Sequence, residues 1–438
     1  MNMDASAKMQ RRALERIPGM TQLYSKRPDL YSYGVWPAYY KQAKGAVVQD
    51  LDGRELLDFS IAAVGAAVLG YADDDVDRAV CAAVSAGVCS SLNCPEEVSL
   101  AERLCGLHPW ADMARFTRGG GEAMAVAVRI ARAATGRDGV AFCGYHGWHD
   151  WYLAANLRRE TLEAHLMRGL DARGVPSVLR DTAFPFRYNH PEELEAILQE
   201  RGGNIAAVVM EPMRGERPAD GFLGKVRKMA DDAGAVLIFD EISAGFRLRC
   251  GGAHMILDDA RPDMAVFSKA LGNGYAISAV IGHRAIMEQA QSSFISSTNW
   301  TERIGPCAAL ATIDKFERLR VHERLIALGE RIKQGWLAAA AASGLRLTVG
   351  GMAPMAHFSF PDGDDAIRGA YFTQSMLDKG FLACNSYYAM YAHEDEMADR
   401  YLDACAEAFG EMARLGSGEA VLRNLKGRPA TERFARLT

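Results

Sequence analysis

Apolar residues in this chain fall into two patterns: short unbroken runs and longer stretches with a helical period. The runs VAFC, IAAVVM, AVLIF and MAVFS, each bounded by turn residues, predict strands buried on both faces of a parallel sheet. MARF predicts a shorter strand ahead of them, and ISAVIG closes the sheet-forming region. Between these runs, VDRAVCAAVSAG, EEVSLAERLCGL, GEAMAVAVRIARAATG, PEELEAILQERG and FLGKVRKMADDAG carry helical periodicity. Alternation of this kind predicts a large α/β domain over residues 56–315.

The two ends of the chain have a different texture. Residues 1–35 predict a helical arm and a tyrosine-rich stretch, followed by a hairpin of AVVQD and ELLDF about the Asp52-Gly53 turn. Residues 1–55 therefore form an arm and part of a smaller domain. After Pro306 a helical stretch begins with CAALATIDKFERLR. LRLTVGG and MAHFSF then predict strands, and AYFTQSMLDKG and DEMADRYLDACAEAFGEMARL predict helices. Residues 316–438 are thus expected to complete the small α+β domain.

A chain of 438 residues is long enough to bury a large core. Its formal charge of −5 gives no basic footprint for nucleic acid or an anionic membrane surface. The nine cysteines show no CxxC spacing, which argues against a zinc site or a disulfide scaffold and points to the reducing cytoplasm. No apolar run approaches the roughly 20 residues of a membrane span.

Four places carry candidate chemistry. AVLIF runs out at Asp240, beyond a strand end where open α/β sheets bind ligands; the same residue would also serve as a helix cap. MAVFS leads into Lys269, where burial would lower the amine pKa and free it for imine chemistry, although a structural lysine fits the same position. Gly119-Gly120-Gly121 before a helix offers backbone N–H groups to a phosphate, or simply a tight turn. It is neither a GxGxxG nor a Walker loop. CGYHGWHDW gathers Tyr145, His146, Trp148, His149 and Trp151 at a strand end, where a ring could lie on a planar cofactor. His146 and His149 lack further ligands at metal-site spacing, so no metal is expected.

In this order the motifs resemble the class III aminotransferases of pyridoxal-phosphate fold type I, most of all the glutamate-1-semialdehyde aminomutase branch. FTRGGGEAMAVAVRIARAATGRD, GYHG, VVMEP, FDEISAGFR and FSKALGNGYAISAVIG carry the resemblance. It implies a large, mostly parallel-sheet α/β/α domain that binds pyridoxal 5′-phosphate, with pyridoxamine 5′-phosphate formed during turnover. The small α+β domain would come from the N- and C-terminal segments. The resemblance further implies that Lys269 forms the Schiff base and shuttles a proton, and that Asp240 pairs with the pyridine nitrogen. Tyr145 would stack on the ring, with His146 following it. Gly120, Gly121 and Glu122 would hold the phosphate, with Glu211 and Ile242 near the ring. Thr298 would reach the phosphate of a neighbouring subunit, making a homodimer with shared active sites.

The chain also departs from that pattern. The usual Ser-Gly-Thr phosphate loop reads Gly119-Gly120-Gly121, so two hydroxyls are lost and Arg118 or Thr298 would have to help. A usual Gly-Asn-Pro turn after Thr298 becomes Thr301-Glu302-Arg303. The tryptophan and C-terminal glutamate context of aminomutases are missing. These losses favour transfer of an amino group from an amino acid to a separate aldehyde or ketone, with a sugar-like or cyclitol carbonyl compound as one candidate. The alternatives are an intramolecular aminomutase and a non-catalytic binding protein of the same fold. Tyr33, Trp36, Trp148, Arg247, Trp300 and Asn385 are the expected substrate residues. Tyr387, Tyr388 and Tyr391 either line a polar pocket or pack the small domain.

Overall fold

The structure, a computed structural model, describes residues 4–157, 172–213, 215–257, 260–361 and 363–431. Residues 1–3 of the expected arm lie outside that set. Two compact units divide the chain: Asp74–Glu323, and Met1–Asp73 together with Arg324–Thr438.

The continuous unit holds a seven-stranded sheet. From edge to edge its strands are Met113–Thr117, Ser278–Gly282, Met264–Phe267, Val236–Asp240, Ile205–Met210, Gly139–Cys143 and Ala183–Pro185. The five from Met264–Phe267 to Ala183–Pro185 are parallel, and their inner members are buried throughout. This is why they read as unbroken apolar runs. Ser278–Gly282 runs antiparallel to both of its neighbours. Its link from Met264–Phe267 spans only residues 268–277, shorter than the dozen or so a parallel crossover needs. The chain reverses there through Asn273 and Gly274, both with positive φ.

Helix Gly120–Thr135 lies over the sheet. Ala123, Ala127, Ile130 and Ala131 are wholly buried in one cluster with Val140, Val209, Ile238, Val266 and Val280. Its alanines let the backbone approach, and each large aliphatic side chain in the cluster contributes about 2 kcal/mol by leaving water. The helix stops at Gly136, a left-handed C-cap. Parallel pairing brings Cys143 beside Met210, Met210 beside Phe239, and Asp240 beside Val266. All these strands therefore end along one edge.

The discontinuous unit contains the expected hairpin, Val47–Asp50 with Glu55–Phe59, extended by Tyr40–Lys44. On its other side Glu55–Phe59 pairs in parallel with Phe381–Ala383. A second sheet joins Thr348–Gly350, Met355–Ser359 and Ser386–Tyr388. The two C-terminal strands, Phe381–Ala383 and Ser386–Tyr388, were not foreseen, because three residues are too few to display a period. Tyr387 is fully buried. It stacks on Phe59, and its hydroxyl lies 3.0 Å from His393 Nδ1. Tyr387 thus packs this unit rather than lining a pocket. Helices Ile304–Arg318 and Val321–Ala342 form the long helical stretch, broken at Arg320 where φ is +48°.

Candidate active site

Four strand ends supply the groups gathered at the sheet edge. Asp240 closes Val236–Asp240 and is 3% exposed. Its Oδ1 accepts the Ile242 N–H at 2.9 Å, and its Oδ2 lies 2.7 Å from His146 Nδ1. His146 Nε2 lies 3.1 Å from the Cys143 carbonyl, which can only accept, so Nε2 carries a hydrogen. Both ring nitrogens therefore face oxygen acceptors. His146 arrives there because Gly139–Cys143 ends three residues before it.

The segment after Asp240 is clamped by its neighbour Glu241. One oxygen of Glu241 accepts the His254 N–H and lies 2.7 Å from His254 Nδ1, and the other accepts the Ala253 N–H. His254 Nε2 accepts from the Trp110 indole at 3.0 Å, so the proton of His254 is on Nδ1. Sequence reasoning passed over this buried pair, and only the DE dipeptide hinted at it.

Lys269 follows Met264–Phe267 by two residues and takes φ +45°, a left-handed conformation unfavourable for a residue with a side chain. Its Nζ donates to Ser243 Oγ at 2.7 Å. Withdrawal from water draws the amine pKa down, and the Arg247 charge adds to this; Asp240 and Glu211 oppose it. Arg247 is buried and its Nε donates to the Ser243 carbonyl. Ser243 therefore links both cations. It went unnoticed in the sequence, although it stands three residues after Asp240.

Tyr145 is half-exposed, with its ring edge against Tyr152. Burial and the Asp240 charge raise its phenol pKa. Glu211 follows strand Ile205–Met210, and its N–H donates to the Cys143 carbonyl. At the start of Gly120–Thr135 the Glu122 carboxylate accepts from the N–H groups of Arg118 and Gly119. The N–H groups of Gly120, Gly121 and Glu122 occupy the first turn, which has no intrahelical acceptors. A Cβ on Gly120 would stand 2.9 Å from Ile242 Cδ1, so the Asp240 segment and the glycine turn lie against each other.

Arg118 does not turn toward that helix start. Its guanidinium donates to the carbonyls of Trp300 and Glu302 and pairs with the Glu302 carboxylate. Glu302 in turn accepts the Ile304 and Gly305 N–H groups, and Arg303 pairs with Glu96 at 2.6 Å. The unusual Thr301-Glu302-Arg303 segment is thereby locked. Thr298 is exposed at the start of the turn Thr298–Thr301. Trp148 is 69% exposed and stacked on His149, and Trp300 is partly buried against the sheet core. Tyr33, Trp36 and Asn385 belong to the other unit. There Trp36 is buried and stacked on Tyr31, Tyr33 bridges Arg428, and the Asn385 carbonyl accepts the Phe358 N–H.

The arrangement provides an amine held away from full hydration, a strand-end carboxylate hydrogen-bonded to a histidine, and a helix start whose glycines carry no side chains of their own. Such a set fits an anionic aromatic aldehyde. No helix among the described residues is long and apolar enough to cross a membrane.

Comparison with known proteins gives the same chemistry. The family model "Aminotransferase class-III" matches residues 31–408. A 3-aminobutyryl-CoA aminotransferase of Cloacimonas acidaminovorans (strain Evry) is 31% identical over 404 residues, covering 89% of this chain and 93% of that protein. A 2′-deamino-2′-hydroxyneamine transaminase of Streptomyces kanamyceticus is 32% identical over 400 residues, covering 91% and 96%. Among solved structures, the internal aldimine form of the FumI protein of Sphingopyxis sp. MTA144 superposes with a TM-score of 0.84 at 26% identity, covering 97% of this chain and 99% of that one.

Proposed function

Since the chain belongs to the class-III aminotransferase family and is a pyridoxal-phosphate-dependent aminotransferase of fold type I, we propose that it aminates a polyhydroxylated aldehyde or ketone. The observation that carries the enzymatic reading is the meeting of Lys269, Ser243, Asp240 and His146 at adjoining strand ends. The acceptor class is supported by the Streptomyces kanamyceticus relative, a 2′-deamino-2′-hydroxyneamine transaminase.

Pyridoxal phosphate, when bound, supplies a carbonyl for amine exchange and a ring that takes up an electron pair. Burial draws the Lys269 amine pKa down, toward the neutral, nucleophilic form, and its Nζ would take and return the proton of the substrate carbon. Ser243 Oγ orients that Nζ. Asp240 would hold a ring N–H, and its bond to His146 fixes the carboxylate in place. Gly120, Gly121 and Glu122 would offer backbone N–H groups to the phosphate. Tyr145 would stack on the cofactor ring, and Glu211 and Ile242 would stand near it. Thr298, exposed here, would serve the phosphate of a second copy in a homodimer. Within the sheet-bearing unit, Trp148, Arg247 and Trp300 are the candidates for substrate choice.

Two measurements test this. Lys269→Ala should abolish the imine absorbance of the purified enzyme and slow amine transfer about 10³-fold or more; an unchanged spectrum rules out Lys269 as the attachment point. A screen of amino donors against sugar, cyclitol and acyl-CoA carbonyl compounds should report consumption of a polyhydroxylated acceptor. Many turnovers of one compound without any donor would instead establish the second reading, an intramolecular aminomutase.

A further inference from the structure

His149 stands beside the start of Gly120–Thr135 with no assigned task. A Cβ on Gly121 would meet His149 Nδ1 at 3.1 Å and Cε1 at 3.2 Å. The imidazole thus occupies the direction in which any side chain at Gly121 would project. The backbone is packed equally closely, since a Cβ on Gly147 would come within 2.9 Å of Gly121 Cα. The ring is held from two sides. His149 caps the short helix Asp150–Leu153, whose Tyr152 and Leu153 N–H groups donate to its carbonyl, and its imidazole stacks on Trp148 at 4.5 Å. Its Nδ1 is removed from solvent, yet no group among the described residues hydrogen-bonds to it. A buried ring nitrogen without a partner is costly unless a ligand meets it.

We propose that His149 Nδ1 is a ligand of the cofactor phosphate, taking the place of the hydroxyl missing at Gly121. The inference rests on placing that phosphate at the start of Gly120–Thr135. Gly121 and His149 then form one unit: the glycine leaves the space, and the imidazole fills it with a donor. Burial lowers the pKa of His149 while the nearby Glu122 and Asp150 charges oppose this, and a phosphate dianion would oppose it further. With the first-turn N–H groups on one side and His149 on the other, the phosphate gains one charge-assisted hydrogen bond.

The test titrates cofactor-free enzyme with pyridoxal phosphate and, in parallel, with pyridoxal, which lacks the phosphate. His149→Ala should weaken pyridoxal phosphate binding roughly ten- to a hundredfold and leave pyridoxal binding unchanged. It should also move the ³¹P resonance of the bound cofactor. Gly121→Thr alone should weaken binding too, because its side chain and the imidazole compete for one space. The pair Gly121→Thr with His149→Ala should recover binding to within about threefold of the original, since each change relieves the other. His149→Asn, which keeps a donor, should lie between, and circular dichroism reports whether each variant folds. Gly121→Asp serves as the placement control and should selectively weaken pyridoxal phosphate. If Gly121→Asp acts but His149→Ala leaves affinity and resonance unchanged, the role of His149 is overturned and the phosphate placement stands. If neither acts, the placement itself is wrong.

Discussion

Both oxygens of Asp240 have partners within the protein, the Ile242 N–H and His146. Replacing His146 by leucine would strand one carboxylate oxygen in a buried place. His146→Leu is therefore expected to cost about 3 kcal/mol in urea unfolding, with loss of activity beyond the loss of fold. Other histidines act on stability through protons. Burial pushes His108 and His393 down to about 4, below the usual 6.5. Each stays neutral in the folded chain while the unfolded chain takes up a proton, so stability is full above about pH 6.5 and is lost as pH falls toward 4. Between about pH 7.5 and pH 5 the loss is about 2 kcal/mol for each. Unfolding midpoints at the two pH values check this, and His393→Gln should flatten the dependence by its share. Asp240 and Lys269 were legible in the sequence because each ends an apolar run. Ser243 and Glu241 were not, because a hydrogen bond between turns leaves no periodic trace.

At the level of elements, the segment 300–303 is held by side chains rather than by a tight turn. Glu302 accepts the first N–H groups of Ile304–Arg318 while paired with Arg118. Glu302→Ala should destabilise the enzyme by about 1 kcal/mol and, more tellingly, alter KM for the acceptor before kcat. An unchanged KM would separate the loop from substrate choice. Helix Val321–Ala342 offers a sterner test, because a Cβ on Gly329 would collide with the Ala353 carbonyl. Gly329→Ala should cost about 3 kcal/mol in thermal unfolding, as backbone cannot move aside the way a side chain tip can. The central strands and the long helices could be read from pattern alone. Phe381–Ala383 and Ser386–Tyr388 could not, because their partners decide their conformation more than their own residues do.

For the whole molecule, shared active sites make a distinct prediction. If Thr298 serves a second copy, chains carrying Lys269→Ala and chains carrying Thr298→Arg should complement one another when co-expressed. Mixed dimers would restore one site of two, and activity should rise to about a quarter of the unaltered enzyme by random pairing. Mixtures no more active than either parent would exclude the sharing. The pairing of Glu55–Phe59 with Phe381–Ala383 has a further consequence, for how the chain is made. Asp74–Glu323 is continuous and can fold as it leaves the ribosome. The first strands of the other unit must wait, at ordinary elongation rates, on the order of tens of seconds for their partner to be synthesised. During that interval the edge of Glu55–Phe59 is an open template for another nascent chain, and a trigger-factor-like chaperone should bind ribosomes stalled between the two strands more strongly than those stalled after both.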